Sequence, residues 1–595
     1  MLHRFGDFTV DEDRRELRLG NEALAVQPKI FDLLVMLLVN AGRVIPKAEL
    51  LEKVWPGVFV SEASLQRAVS LLRTELKKGG LDRALKNYSG RGYRLAIDQP
   101  ELDEFWPKPV EAGNSTENLQ GLANARKWSE IVRLLGKRAM DSLSAEELEL
   151  YAYAEECLGR AVAGEPFLRR LIEISEAAGD VETLSRTAVS LSRIHFERGA
   201  RAVSRGWLAQ VPAGELDKMP SVKASFLWMQ SRLSASDGSP QEARDLVAEA
   251  HRAAEASGHK ALRAVTLAYL GFFNISLGHI RQGLEQQDHA AALAMSTAVD
   301  PVSGGLVYCS VLWSCRSSGD WARAMQWIGG YETWCEGNFA SVSAACQLHR
   351  AEIDGVQGTL PDALTKIQKL IEMSGSEPWA RHDGYRVRGD IHAALGDETA
   401  ARRDYQTAYE MGGDAEPGHA ILLADAGDTD GAISALDRVL VNTDWYALQR
   451  RAILLGYKAR ICAAAGRGQE ARAVIDEMRA QYETWPSKAV HALVLEAEAL
   501  LLAQGEDGMA KAIQLLHLAR QLWTSAEAEY QAARVRILLS RMMQQQGDSA
   551  GAQVEARCAE TAAGKIGAAR LLDEAAGLVV PLGGEREAAA ISFAK

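Results

Sequence analysis

The side chains with the most recognisable chemistry fall between residues 61 and 94. Ser64, Gln66, Arg67, Ser70, Arg73, Thr74 and Lys77 lie within SEASLQRAVSLLRTELKK, and Arg91 and Arg94 lie within NYSGRGYRL. Arginine presents a planar fork of donors that matches the two acceptors on a guanine edge, and glutamine pairs in the same way with adenine. Lysine neutralises phosphate, and small side chains let a backbone come close to a groove floor. The set suits hydrogen bonding to base edges and phosphates rather than the making of covalent bonds.

These residues need a helix to present them. Leu65, Ala68, Val69, Leu72 and Leu76 recur at helical spacing, which predicts a helix over Glu62–Lys77 with one apolar stripe. Ala63, Arg67, Ser70 and Thr74 then lie opposite the stripe, flanked by Gln66, Arg73 and Lys77. Ser61 or Ser64 can cap its start. An ordinary amphipathic helix with a solvated face has the same pattern, so the flanking elements decide. Upstream, Gln27–Asn40 reads as a helix ended by Asn40–Ala41–Gly42, and Pro46 opens a short helix, KAELLEKVW, that carries Lys47 and stops at Pro56–Gly57. Before these, Phe8 and Val10, Leu17 and Leu19, and Leu24 and Val26 alternate as strands do, with Gly20–Asn21 where a hairpin turn is needed. Asn87–Ile97 reads as a terminal hairpin with Gly90 and Gly92 near its tip. The order is a small sheet, three helices and a hairpin.

This order, together with Gln27–Pro28–Lys29–Ile30–Phe31–Asp32–Leu33–Leu34, Asn40–Ala41–Gly42–Arg43, Glu49–Leu50–Leu51, Val54–Trp55–Pro56 and Gly90–Arg91–Gly92–Tyr93–Arg94, resembles the OmpR/PhoB-type winged-helix DNA-binding domain over about Arg4 to Ile97. Its placement at the N-terminus is similar to the CadC and ToxR arrangement. The resemblance implies that the third helix enters the major groove of promoter DNA and that the wing touches the adjacent minor groove. The residues expected to contact DNA are Lys47, Ser64, Gln66, Arg67, Ser70, Arg73, Thr74, Lys77, Arg91 and Arg94. Leu71 and Thr74 stand where the family often has basic residues, Ser89 stands where some members have a wing arginine, and Glu75 adds a negative charge. These departures imply that two copies bind together, as a homodimer. In the family the loop corresponding to Gly57–Ser61 can touch RNA polymerase, which favours activation over repression.

Charge divides the chain in the same place. Residues 62–94 hold 8 Lys/Arg against 3 Asp/Glu, whereas the whole chain carries a net charge of −12. The basic charge therefore gathers where phosphates would sit, and the acidic remainder would be repelled by a duplex. A chain of 595 residues exceeds what one core supports, and 47% hydrophobic content argues against disorder. No uncharged apolar run approaches the roughly 18 residues of a membrane span, and no signal peptide opens the chain. A cytoplasmic protein without a membrane anchor is expected.

Asp98–Thr116, with Pro100, Pro107 and Pro109, reads as a linker in which Phe105 and Trp106 can pack on a neighbour. Beyond it a Gly followed five residues later by Ala recurs nine times with one substitution, from Gly238–Ala243 through Gly278–Gly283 and Gly505–Ala510 to Gly547–Ala552, at spacings between 31 and 42 residues. The glycine suits a left-handed helix end, and the small residue suits close approach of the next helix. The pattern resembles a tetratricopeptide-like solenoid with a longer period, and Tyr308–Asn338 is similar to repeats of large regulators of the MalT and LuxR type. Frequent glycines and the lack of heptads argue against a coiled coil.

Candidate chemical sites give way to plainer readings. Cys309, Cys315, Cys335 and Cys346 lack the close pairing of a zinc knuckle and read as packing residues, and no disulfide is expected. Asp428–Thr429–Asp430–Gly431 echoes a calcium loop, but Ala426 occupies its first ligand position and Gly427 marks a repeat turn. Gly564–Lys565–Ile566 lacks the hydroxyl residue of a phosphate-binding loop. Trp313, Trp321, Trp327 and Trp334, with Tyr308 and Tyr331, read as packing between repeats, with a ligand pocket as the alternative. The expected architecture is mainly α: a winged helix-turn-helix over 1–97, a linker over 98–117 and an α-α helical-repeat solenoid over 118–595. The expected protein is a DNA-binding transcriptional regulator, not an enzyme, without a cofactor or metal, whose repeats sense an unknown small-molecule or protein effector or dimerise. The alternative is an interaction scaffold whose winged helix docks protein.

Overall fold

The computed structural model describes most of the chain between Leu2 and Val580; outside the described residues lie several short segments before Glu62, residues 82–83, 89–91, 96–100 and 103–114, six short interruptions between 297 and 506, and residues 581–595. The chain divides into two compact units, Met1–Asn118 and Leu119–Lys595.

In the first unit the alternating segments form β1 (Leu2–Phe5), β2 (Phe8–Asp11), β3 (Glu16–Leu19) and β4 (Glu22–Leu24), all antiparallel, in the sheet order β4-β3-β2-β1. Gly20, at φ 57°, makes the turn between β3 and β4. The outer strand β8 (Glu101–Leu102) pairs with His3 and Arg4 of β1, so the segment read as linker begins by completing a sheet. Next come α1 (Pro28–Val39), a two-residue β5 (Ile45–Pro46), α2 (Glu62–Lys77), and the hairpin of β6 (Leu85–Tyr88) and β7 (Gly92–Leu95). β7 lies between β5 and β6. Lys47, Leu50 and Val54 are helical, in agreement with a short second helix, and the rest of 47–55 lies outside the described residues. One core joins the elements. Phe8, Val10 and Leu17 from the sheet, Leu33, Leu34 and Leu37 from α1, and Leu65, Val69, Leu72 and Leu76 from α2 are each no more than 1% exposed.

Every described element from Ser115–Asn124 to Ala569–Ala576 is a helix. The first of these helices begins inside the expected linker. Consecutive helices pack as antiparallel hairpins in a tetratricopeptide-like array. Gly238, Gly278, Gly319, Gly396, Gly427, Gly466 and Gly547 hold φ between 70° and 91°, as the repeat pattern requires. Gly358 and Gly505 do not adopt that conformation. After Gly505 the next helix starts only at Met509, so Ala510 is exposed and Ala512 takes the buried position. The one repeat with glycine in place of alanine has no room for a side chain: a Cβ on Gly283 would stand 2.5 Å from the carbonyl oxygen of Gly271. Tyr308 and Trp313 are buried core, and Trp327 donates to Asp288 at 3.0 Å. The side chains of Tyr331 and Trp334 lie outside the described residues. Asp428 caps the helix Thr429–Leu440, accepting from the Gly431 amide at 2.9 Å, which accounts for the acidic loop.

The array also meets itself. The helix Pro301–Ser318 touches Trp445–Ala464, Ala344–Gln357 touches Glu529–Gln546, and Pro378–Ala394 touches Ala569–Ala576. Buried hydrogen bonds tie these turns, with Gln449 donating to the Phe272 carbonyl at 3.0 Å and Ser487 to the Ser318 carbonyl at 2.7 Å. Buried polar groups need such partners to offset lost hydration.

Candidate nucleic-acid interface

The position of α2 follows from its stripe. With Leu65, Ala68, Val69, Leu72 and Leu76 committed to the core, the helix must turn its other side outward. On that side Ser70, Leu71, Thr74 and Lys77 are exposed. Thr74 Oγ1 donates to the Ser70 carbonyl at 3.1 Å, a local bond that holds the hydroxyl against the helix. At the C-terminal end Gly79 has no room for a side chain, because a Cβ would lie 2.4 Å from the Phe8 ring. Gly80, at φ 74°, then releases the chain. The end of α2 is thereby seated on β2.

The hairpin is held against the same helix. Arg73 Nε and Nη2 both donate to the Leu85 carbonyl, at 3.2 and 2.8 Å. Arg73 is therefore not a freely extended arm; two of its nitrogens couple α2 to β6. Gly92 pairs with Pro46 of β5 at φ 146°, and a Cβ there would lie 1.9 Å from the Ile45 carbonyl oxygen. Only glycine lets β7 approach β5 this closely. Lys86 and Arg94 are register partners across β6 and β7, Lys86 exposed and Arg94 half-buried. On α1, Lys29 donates to the Val54 carbonyl at 2.8 Å, joining the first two helices.

The expected contact residues thus fall into groups. Ser70, Thr74 and Lys77 share the outward side of α2, Arg73 sits between helix and hairpin, Arg94 lies on the hairpin, and Lys47 is half-buried at the start of the short second helix. The side chains of Ser64, Gln66 and Arg67 and the whole of Arg91 lie outside the described residues, as does the loop 57–61. Lys86 was absent from the expected set. Its signal was available: Leu85 points inward and Lys86 outward in strand alternation, next to the residue that receives Arg73. Leu71, 40% exposed, is an apolar side chain presented among polar ones.

A small sheet, a helix with an outward polar side and a hairpin clasped to it define a winged helix-turn-helix. Residues 20–95 match the family described as transcriptional regulatory protein, C terminal, so the N-terminal unit carries an OmpR/PhoB-type domain. The chain is 36% identical over 91 residues to the transcriptional regulator HilA of Salmonella typhi, covering 15% of this chain and 16% of that protein. It is 34% identical over 101 residues to the response regulator MprA of Mycobacterium tuberculosis, covering 17% of this chain and 44% of that protein. The chain thus spans less than half the length of these relatives. Among solved structures, the Klebsiella pneumoniae RstA DNA-binding domain in complex with RstA box is 31% identical, with a TM-score of 0.14, covering 16% of this chain and 96% of that one.

Proposed function

We propose that the protein is a transcriptional regulator that inserts α2 into the major groove of promoter DNA and lays the β6–β7 hairpin along the neighbouring backbone. The observation that carries this reading is the outward side of α2, where Ser70, Leu71, Thr74 and Lys77 are exposed while every residue of the opposite stripe is buried. Ser70 and Thr74 offer short hydroxyls to base edges, Leu71 offers an apolar contact to thymine methyl groups, and Lys77 and Lys86 neutralise phosphate. Gln66 and Arg67 lie one turn earlier on α2 and supply the bidentate contacts. The family match over residues 20–95 supports the same assignment.

Two copies bind side by side, because one helix with few basic residues makes a small electrostatic footprint. The helical unit supplies the regulatory input, and activation of a reporter is the expected direction. The test is a gel shift with DNA from upstream of the protein's own gene at two salt concentrations. Specific retardation that weakens at higher salt supports the reading; retardation that is absent, or equal on unrelated DNA, refutes it.

A further inference from the structure

The helical unit holds a half-open cavity of about 640 Å3, within the range of small-molecule sites. Seven arginines line it. Six of them are matched by acids. Arg316 and Arg386 share Asp383 and Glu352, Arg450 meets Asp414, Arg534 meets Glu496 at 2.5 Å, Arg541 meets Glu574, and Arg570 meets Asp425. Arg460, on the helix Trp445–Ala464, is different. Its Nε is buried without a hydrogen-bond partner, and it makes no ion pair with any described residue. Its guanidinium lies 5.3 Å from the centre of the Tyr457 ring. Burial and the nearby Arg534 disfavour its charge, and Glu496, Tyr457 and Asp425 offset this only in part. A guanidinium does not escape by deprotonation, so this half-buried side chain keeps its charge with no ion-pair partner among the described residues.

The surroundings define that anion. The cavity that Arg460 lines also has an apolar and aromatic wall, with Trp321, Ile421, Ile461, Ile537 and Tyr530. Only one arginine is spare, while Asp425 and Glu574 also face the cavity. A second negative charge would meet these acids unneutralised, which disfavours phosphate esters and dicarboxylates. A carboxylate matches a guanidinium in a two-point hydrogen bond. We propose that the helical unit binds a small apolar monocarboxylic acid here, its carboxylate on Arg460 and its body against Trp321, Tyr530 and Ile421. This deepens the regulatory input assigned to the helical unit, and because the measurement contains no DNA, either reading can fail alone.

The experiment is thermal unfolding and tryptophan-fluorescence titration of the full chain with phenylacetate and with octanoate, using phenylacetamide and inorganic phosphate as comparators. At least one acid raises the midpoint saturably and changes the fluorescence, whereas the amide and phosphate do neither. Arg460→Met abolishes the response while its unliganded unfolding stays cooperative. Should that variant not fold, Arg460→Lys keeps the charge without the fork and weakens binding about tenfold or more. The proposal is overturned if neither acid shifts the parent chain, if amide or phosphate acts as well as the acids, or if the Arg460 variant that folds retains the full response.

Discussion

Arg73 separates two ways in which an arginine can serve a DNA-binding domain. Its Nε and Nη2 donate to the Leu85 carbonyl at 3.2 and 2.8 Å, so it joins α2 to the hairpin. A hydrogen bond from a charged group contributes roughly 1.5–3 kcal/mol, and the carbonyl stripped of its donor carries a further desolvation penalty. Replacing Arg73 by Ala removes that coupling, and the hairpin then has to be positioned at the moment of binding. If the whole coupling appears in affinity, the loss is about 10- to 150-fold, since each 1.4 kcal/mol is tenfold. The salt dependence distinguishes this from a phosphate contact. A lost phosphate contact lowers the slope of log affinity against log salt by about 0.9, whereas a lost internal clasp leaves it unchanged. Anisotropy titrations of Arg73→Ala and Lys77→Ala at four salt concentrations make the comparison. Lys77→Ala reduces the slope, and Arg73→Ala displaces the line in parallel. A slope for Arg73→Ala that falls as far as that for Lys77→Ala would show that Arg73 spends itself on phosphate, and the clasp argument would fail.

Three further outcomes are expected. Gly92→Ala places a Cβ 1.9 Å from the Ile45 carbonyl at φ 146°, so the β5–β7 pairing must open at a cost of about 2–4 kcal/mol, read as lost hydrogen-exchange protection at Tyr93 and Leu95. Leu71→Lys adds a cation to the outward side of α2 and raises the salt slope by about 0.9 while reducing base discrimination; a slope that does not change would mean that this position faces away from DNA. Asp390 lines the cavity, and burial raises its carboxyl from 3.8 to about 6, opposed by Arg386 and reinforced by Glu352, with Tyr405 donating at 2.9 Å. The folded state therefore holds a proton that the unfolded chain has released, so stability rises as pH falls through 6 towards 4. Asp390→Asn flattens this rise in a series of pH-dependent melts, and an unaltered profile would assign it to other groups.

The helices of the first unit and the repeat turns of the second were legible in residue order because both rest on local periodicity. Leu65, Ala68, Val69, Leu72 and Leu76 mark a helix by spacing alone, and all five are buried. The glycines of the repeat announce their left-handed turns because few other residues tolerate that conformation, and seven of nine adopt it. The exceptions have local causes: after Gly505 the next helix begins late, and Ala512 replaces Ala510 in the core. Nothing in the spacing around Arg73 told that it would face the Leu85 carbonyl, because a side chain's partner across a fold depends on how elements are stacked. The same is true of β8, whose two residues lie in a proline-rich segment and pair only because β1 offers an open edge. The cavity was the least visible feature. Arg316, Arg460 and Arg570 come from helices far apart in the chain and line one cavity only where the array winds back on itself. Periodicity determines which face of each helix is buried; the sum of small rotations between successive helices decides which distant faces meet. That sum is a property of tertiary packing, and it left Arg460 without an ion-pair partner among the described residues.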